Sequence, residues 1–163
     1  MQKVVSNSSP IIHLSKIGKL NLLKEYFDTI TIPEIVYRES VMEGKDRVEV
    51  ELIKNAEWIK VSQVKDKKFV KLLQTSLDDG ESEAITLSLE IGADLILLDD
   101  SDARERARLY GLKIIGTIGI LLHAKMDGKI TFSREELKRL KKTGFWIGDK
   151  LEARLLREAG ETL

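Results

Sequence analysis

Apolar residues along this chain follow two spacings in turn. Lys3–Val5, Thr29–Ile32, Trp58–Val61, Leu95–Leu98 and Lys113–Ile115 are short runs of strand length, rich in β-branched residues and leucine. Between them the apolar positions recur every three to four residues, as on one face of a helix. Ile11, Ile12, Leu14, Ile17 and Leu20 form the first such stripe, interrupted by Gly18, and Asn21–Tyr26 forms the next. Pro33 suits the first position of a helix carrying Ile35, Val36 and Tyr37, where its missing N–H costs nothing. Asp46–Asn55 and the Lys-rich Asp66–Thr75 read as helices. The Asp78-Asp79-Gly80-Glu81 turn opens another through Ile91, which Gly92 stops. Ser101 can cap a helix to Tyr110, ended by Gly111, and Thr117 can cap one ending near Asp127. Ser133 and Glu136 have capping-box spacing for a helix to Lys142, and Asp149–Ala159 is the last helix.

Strands alternating with helices predict an α/β domain with a mostly parallel sheet. The continuous apolar run Leu95–Leu98 suits a parallel strand buried on both faces. No linker and no internal repeat divides the chain. We expect a single domain over 1–163, with a core at about 3–126 and a C-terminal helical part at about 131–163. In such sheets ligands bind beyond the carboxyl ends of the strands, so the residues that follow each strand are the ones to inspect.

Composition narrows the chemistry. The chain has no cysteine, which excludes disulfides, zinc–thiolate sites and cysteine nucleophiles. Only His13 and His123 carry imidazole, so a poly-histidine metal site is excluded. Twenty-seven basic residues balance 27 acidic ones, so any nucleic-acid contact must use local patches rather than overall charge. No apolar run approaches the ~20 residues needed to span a bilayer, and the first residues enter a strand without a signal-peptide pattern. A cytoplasmic protein without membrane partners is the expectation.

The polar residues at the strand ends carry the candidate chemistry. Asn7 follows the first strand, Glu39 lies on the helix after the second, and Glu81 opens the helix before Leu95–Leu98. Asp99 and Asp100 end that strand. Such oxygen ligands suit a hard cation such as Mg²⁺ or Mn²⁺, and clustered carboxylates repel one another without one. A cation held there can activate water against a phosphodiester and offset charge in the transition state. Each residue also has a structural use. Asn7 can form an Asx-turn, Glu39 can be a solvated helix residue, and Glu81 can complete a capping box with Asp78. Asp100 can cap the next helix, Asp102 is placed as a first-turn charge, and Glu83 is expected to face solvent. Ser6 and Ser8 can donate hydrogen bonds to the site or be plain turn residues. His13 and His123 have no partner at metal spacing.

These residues reproduce a family pattern. Val4-Val5-Ser6-Asn7-Ser8-Ser9-Pro10-Ile11-Ile12 resembles the opening of PIN-domain proteins, and Ile30-Thr31-Ile32-Pro33-Glu34-Ile35-Val36-Tyr37-Arg38-Glu39 resembles their second motif. Gly80-Glu81-Ser82-Glu83-Ala84-Ile85 and Leu97-Leu98-Asp99-Asp100 resemble the third and fourth. Gly111-Leu112-Lys113-Ile114-Ile115-Gly116-Thr117-Ile118-Gly119 and the Gly144-Phe145-Trp146-Ile147 tail resemble a PIN subgroup of unknown function, the DUF3368 type. The resemblance implies a Rossmann-like three-layer fold and a Mg²⁺- or Mn²⁺-dependent ribonuclease. Many relatives are VapC-like toxins that form homodimers and are silenced by a small antitoxin protein. Carried over, Asn7, Glu39, Glu81 and Asp99 take the four metal-binding acidic positions, and Asp100 is an adjacent catalytic candidate. The departure is Asn7, where the family usually has Asp. Asn offers one neutral oxygen and an NH₂ donor, and removes a charge from the site.

Local basic groups are available for RNA: Lys65, Lys67, Lys68 and Lys71; Arg104, Arg106 and Arg108; and eight Lys or Arg against four acids in Arg134–Arg157. The leading expectation is therefore a metal-dependent PIN ribonuclease of toxin type. The alternative is a catalytically impaired PIN-fold module that binds RNA or protein, with Asn7 marking the loss. A phosphoacceptor receiver domain fits less well, since Asn7-Ser8 does not supply its acidic pair. The Ile118–Met126 helix and Phe145-Trp146 are candidate dimer contacts.

Overall fold

The computed structural model describes residues 2–42, 47–131 and 133–158. Two predicted helix ends, Asp46 and Ala159, lie outside them. The chain divides into two compact units, Met1–Thr117 and Ile118–Leu163.

The first unit is built on five strands: β1 (Val4–Ser6), β2 (Ile30–Pro33), β3 (Ile59–Ser62), β4 (Leu95–Leu97) and β5 (Ile114–Ile115). They form one sheet in the order β3-β2-β1-β4-β5, and every pairing is parallel. Helices fill each crossover: α1 (Ser8–Lys16) and α2 (Asn21–Phe27), then α3 (Glu34–Met42) and α4 (Arg47–Lys54). After β3 come α5 (Lys67–Leu73) and α6 (Asp79–Ile91), and after β4 comes α7 (Ser101–Leu109). This is the predicted α/β class, a parallel sheet flanked by helices.

The central strands are apolar because both of their faces are covered. Val5, Ile30, Ile32, Ile96, Leu97 and Leu98 are fully buried, among Ile11, Leu14, Leu23, Val36, Leu73, Ile85 and Leu87 from the helices. Truncating any one of these large side chains to alanine costs about 2–5 kcal/mol. Edge strand β3 differs: of its four residues only Ile59 is buried, and Val61 lies open.

Local chemistry sets the helix ends. Asp78 and Glu81 form a reciprocal capping box on α6, and Gly92 ends that helix at φ 64°, where a side chain would be strained. Two expectations shift. Pro33 ends β2 opposite Ser62 rather than opening α3, because the ladder to β3 runs one residue further and needs no proline N–H at its last rung. Asp100, not Ser101, caps α7, with its Oδ2 accepting from the Ala103 N–H at 3.1 Å.

Strand order reverses between β1 and β4. From β1 the chain winds outward through β2 and β3, then returns to β1's other side for β4 and β5. That switch point leaves a crevice at the carboxyl ends of β1 and β4, which are followed by Asn7 and by Leu98-Asp99.

The second unit is helical. It holds most of α8 (Thr117–Met126), then α9 (Arg134–Lys142) and α10 (Asp149–Glu158). The predicted Ser133–Glu136 capping box opens α9. Hydrogen bonds from Ser133 hold the Glu136 carboxyl down at a pKa of about 2. Leu137, Leu140, Leu155 and Leu156 are buried, and Lys141 Nζ reaches Glu152 at 2.8 Å. Trp146 is 84% exposed. Among the described residues no helix is long and apolar enough to cross a membrane.

Candidate functional site

Asn7 continues β1 by one hydrogen bond, its N–H donating to the Leu97 carbonyl at 3.0 Å. Its extended backbone (φ −80°, ψ 174°) then leads into α1, and its side chain makes no capping bond. The Asx-turn reading therefore does not describe it. Instead the side chain is buried, 5% exposed, and its Oδ1 accepts no hydrogen bond from the protein. A buried acceptor without a donor costs about 1–3 kcal/mol, so this oxygen has a use or a penalty.

Its neighbour is Glu39, half-buried on α3. Both side chains face the backbone of Gly80, in the first turn of α6. A Cβ on Gly80 would lie 2.8 and 3.0 Å from the two Glu39 carboxylate oxygens and 3.0 Å from Asn7 Oδ1. The φ of Gly80 is not positive, so the backbone does not require glycine there. Space does: any side chain would fill the gap that the two oxygen groups share. Sequence reading brought Asn7 and Glu39 together; it did not identify Gly80 as the floor beneath them.

Glu81, next in the chain, is buried and turned into the capping box. Its N–H donates to Asp78 Oδ1 at 2.7 Å, and its Oε1 accepts from the Asp78 N–H at 3.1 Å. Burial, seconded by the negative charges of Asp78 and Asp100, raises its pKa to about 7, although the Asp78 N–H bond pulls the other way. Asp100 is exposed and serves as the α7 cap. Glu83 was expected in solvent but is half-buried. Burial raises its pKa against the opposing charges of Lys67, 3.9 Å away, and Arg38.

Asp99 sits across the crevice with both oxygens engaged. Its Oδ1 accepts from the Thr117 N–H at 2.7 Å, and its Oδ2 accepts from Thr117 Oγ1 at 2.7 Å and Ser9 Oγ at 2.6 Å. Asp99 thus ties the start of α1 to Thr117, two residues past β5. A second space-making glycine lies here. A Cβ on Gly116 would meet Arg104 Nη1 at 2.7 Å, Asp99 Oδ1 at 2.9 Å and the Leu98 carbonyl at 3.2 Å. His13, one helical turn beyond Ser9, feels the Asp99 charge, but burial dominates and lowers its pKa.

Sequence reading missed Ser9 and Thr117, and named Arg104 only as one of three basic residues available to RNA beside the acidic pair. It named Ser6 and Ser8 as donors to the site or plain turn residues; Ser6 Oγ donates to the Asn7 carbonyl. It took Thr117 for a cap, whereas the Thr117 hydroxyl goes to Asp99. One signal was available: Gly116 directly follows a strand with no turn of positive φ to explain it.

Donor chemistry at the Gly80 end fits a hard cation. Three acceptor oxygens, one on a neutral amide and two on a carboxylate, face one space, and Asn7 Oδ1 receives no hydrogen. Mg²⁺ is commonly held by one or two such side chains and keeps several waters. No group of three or more His, Cys, Asp or Glu placed to hold a metal occurs among the described residues. With Asn at position 7, any ion here would rely on fewer charged ligands. A separate groove of about 760 Å³, lined by Leu20, Val48, Leu52 and Trp58, includes none of these residues.

Residues 3–161 match the DUF3368 family model, a PIN domain. Among solved structures, the chain is similar to a PilT N-terminus domain protein from the hyperthermophilic archaeon Sulfolobus solfataricus P2. The TM-score is 0.53 at 21% identity, over 76% of this chain and 93% of that one, a likeness of fold. No curated protein gives a significant match. With its parallel sheet, its site at the β1/β4 switch point and a family match over nearly its whole length, the chain belongs to the PIN-domain family, whose members are generally nucleases.

Proposed function

We propose that this protein is a Mg²⁺- or Mn²⁺-dependent endoribonuclease. The observation that supports it is the Asn7–Glu39 oxygen set over Gly80, which includes a buried acceptor with no donor. Asn7 and Glu39 would hold the cation, with Glu81 and Asp99 completing the acidic set and Asp100 beside them. When bound, the ion would supply Lewis-acid stabilisation of a phosphate and a more acidic water. The chain's own part is to fix the ligands. Burial of Asn7 and the missing Gly80 side chain hold the space open, and three hydrogen bonds fix Asp99.

The test is Mn²⁺ titration by calorimetry together with cleavage of single-stranded RNA, on wild type and Glu39→Gln. The reading expects wild type to bind and cleave, and the variant to lose both while melting like wild type. Equal cleavage by Glu39→Gln would refute the mechanism.

A second reading has support of its own: Asn7 is neutral, and Asp99 already accepts three hydrogen bonds. On it the domain binds RNA or a protein without cutting. Asn7→Asp discriminates, since cleavage appearing only in that variant would favour the impaired module. A toxin-like role with a small antitoxin, and a homodimer in the cytoplasm, extend the first reading from the family resemblance. Growth arrest on expression and a dimeric mass by light scattering are the outcomes they require.

A further inference from the structure

Arg104 is half-buried on α7, and its guanidinium lies over Gly116 beside Asp99. The approach exists only because residue 116 has no side chain: a Cβ there would stand 2.7 Å from Nη1. The group is held by one weak tether, an Nη1–H donated to the Leu98 carbonyl at 3.3 Å. A guanidinium has five N–H donors. Among the described residues no carboxylate forms an ion pair with Arg104; the nearby Asp99 oxygens are taken by Ser9 and Thr117. Arg106, two residues on and on another face of α7, donates instead to Ser76 Oγ at 3.0 Å.

A permanent cation, partly withdrawn from water, with open donors and no paired anion, is placed for an anionic ligand. Its site is the carboxyl edge of β4 and β5, next to the crevice where α/β sheets bind ligands. We infer that Arg104 is a substrate-binding residue that grips a backbone phosphate of the RNA strand beside the Asn7–Glu39 centre. This rests on the ribonuclease reading. It adds that the Gly116 side of the crevice supplies the positive charge, while the Gly80 side supplies acceptor oxygens. Asp99 lies beside Arg104 but spends its hydrogen bonds on Ser9 and Thr117 and makes none to the guanidinium.

The experiment is fluorescence polarisation with a 5′-labelled single-stranded 12-nucleotide RNA, in EDTA so that nothing is cut, over a series of salt concentrations. Wild type, Arg104→Gln, Arg104→Lys and the control Arg106→Gln are compared, each checked by thermal melting. Wild type should bind. Arg104→Gln should weaken binding about tenfold and reduce the slope of log K against log salt by about 0.7, the value for one phosphate contact on a single strand. Arg104→Lys should keep the slope and lose part of the affinity, because the forked geometry is gone while the charge remains. Arg106→Gln should change little. Equal affinity and slope in wild type and Arg104→Gln would overturn the assignment while leaving the ribonuclease reading intact. If Arg104→Gln does not fold, Arg104→Lys decides: unchanged affinity would overturn the assignment. Failure of wild type to bind any RNA would instead overturn the ribonuclease reading, and this inference with it.

Discussion

The two sides of the crevice are built alike and behave oppositely. Each has a glycine with an ordinary backbone, present to leave room for polar side chains. Over Gly80 lie acceptors, and Asn7 Oδ1 receives no hydrogen. Over Gly116, Asp99 accepts three hydrogen bonds and a guanidinium lies alongside. The Asp99 carboxylate is held by protein donors and so contributes to the fold. On the other side the buried Asn7 Oδ1 has no donor from the protein. Acceptor oxygens at one sheet edge are thus not equivalent: those of Asp99 are engaged by protein donors and Asn7 Oδ1 is not.

The largest effect expected from this contrast is on stability. Asp99→Ala leaves the Thr117 N–H and the Ser9 and Thr117 hydroxyls without their acceptor, and should lower unfolding free energy by about 3 kcal/mol. Urea unfolding measures it, and a loss under ~1 kcal/mol would show that the hydrogen bonds are not holding that edge. Asn7→Asp should come next. A second negative charge beside Glu39 should destabilise the metal-free protein by about 1–3 kcal/mol at neutral pH, and Mn²⁺ should reverse the loss. Melting curves with and without the ion read it; an unchanged metal-free Tm would mean that the two side chains do not share a space.

Glu39→Gln should act in the other direction. It replaces a carboxylate by a group that can donate towards Asn7 Oδ1, so stability should hold or rise by up to about 1 kcal/mol. Mn²⁺ affinity should fall at least about tenfold, roughly 1.4 kcal/mol. A clear loss of stability would make Glu39 a structural residue like Asp99.

A pH-dependent effect concerns Glu81. Its folded pKa of about 7 lies above its ordinary value of 4.5, so the folded state favours the protonated form. Its contribution is therefore full below about pH 4.5 and is lost as pH rises towards about 7. Melting in EDTA from pH 4.5 to 7.5 should show this decline in wild type and a flatter profile in Glu81→Gln, which keeps the capping geometry. Parallel profiles would mean that burial does not penalise the Glu81 charge.

Much of the fold was legible because it rests on local rules. Apolar runs marked all five strands to within a residue or two, and the Asp78–Glu81 and Ser133–Glu136 spacings marked their capping boxes. Pro33 misled because one residue type suits both a strand end and a helix start, and the partner strand decides between them. The site was legible as a set of residue types at strand ends. It was not legible as a set of bonds: Ser9 and Thr117 are ordinary helix-start residues in the sequence, 108 positions apart, and only parallel pairing of β1, β4 and β5 brings both to Asp99.

By itself the sequence determined the α/β class, the family motifs and the absence of cysteine and poly-histidine chemistry, because spacing and composition do not depend on distant contacts. It also put Asn, a neutral side chain, at position 7. Tertiary structure alone decided which oxygens remain in want of a partner. Hydrogen bonding at this edge joins residues far apart in the chain, so Asp99 is a clamp that accepts three hydrogen bonds while the buried Asn7 Oδ1 accepts none.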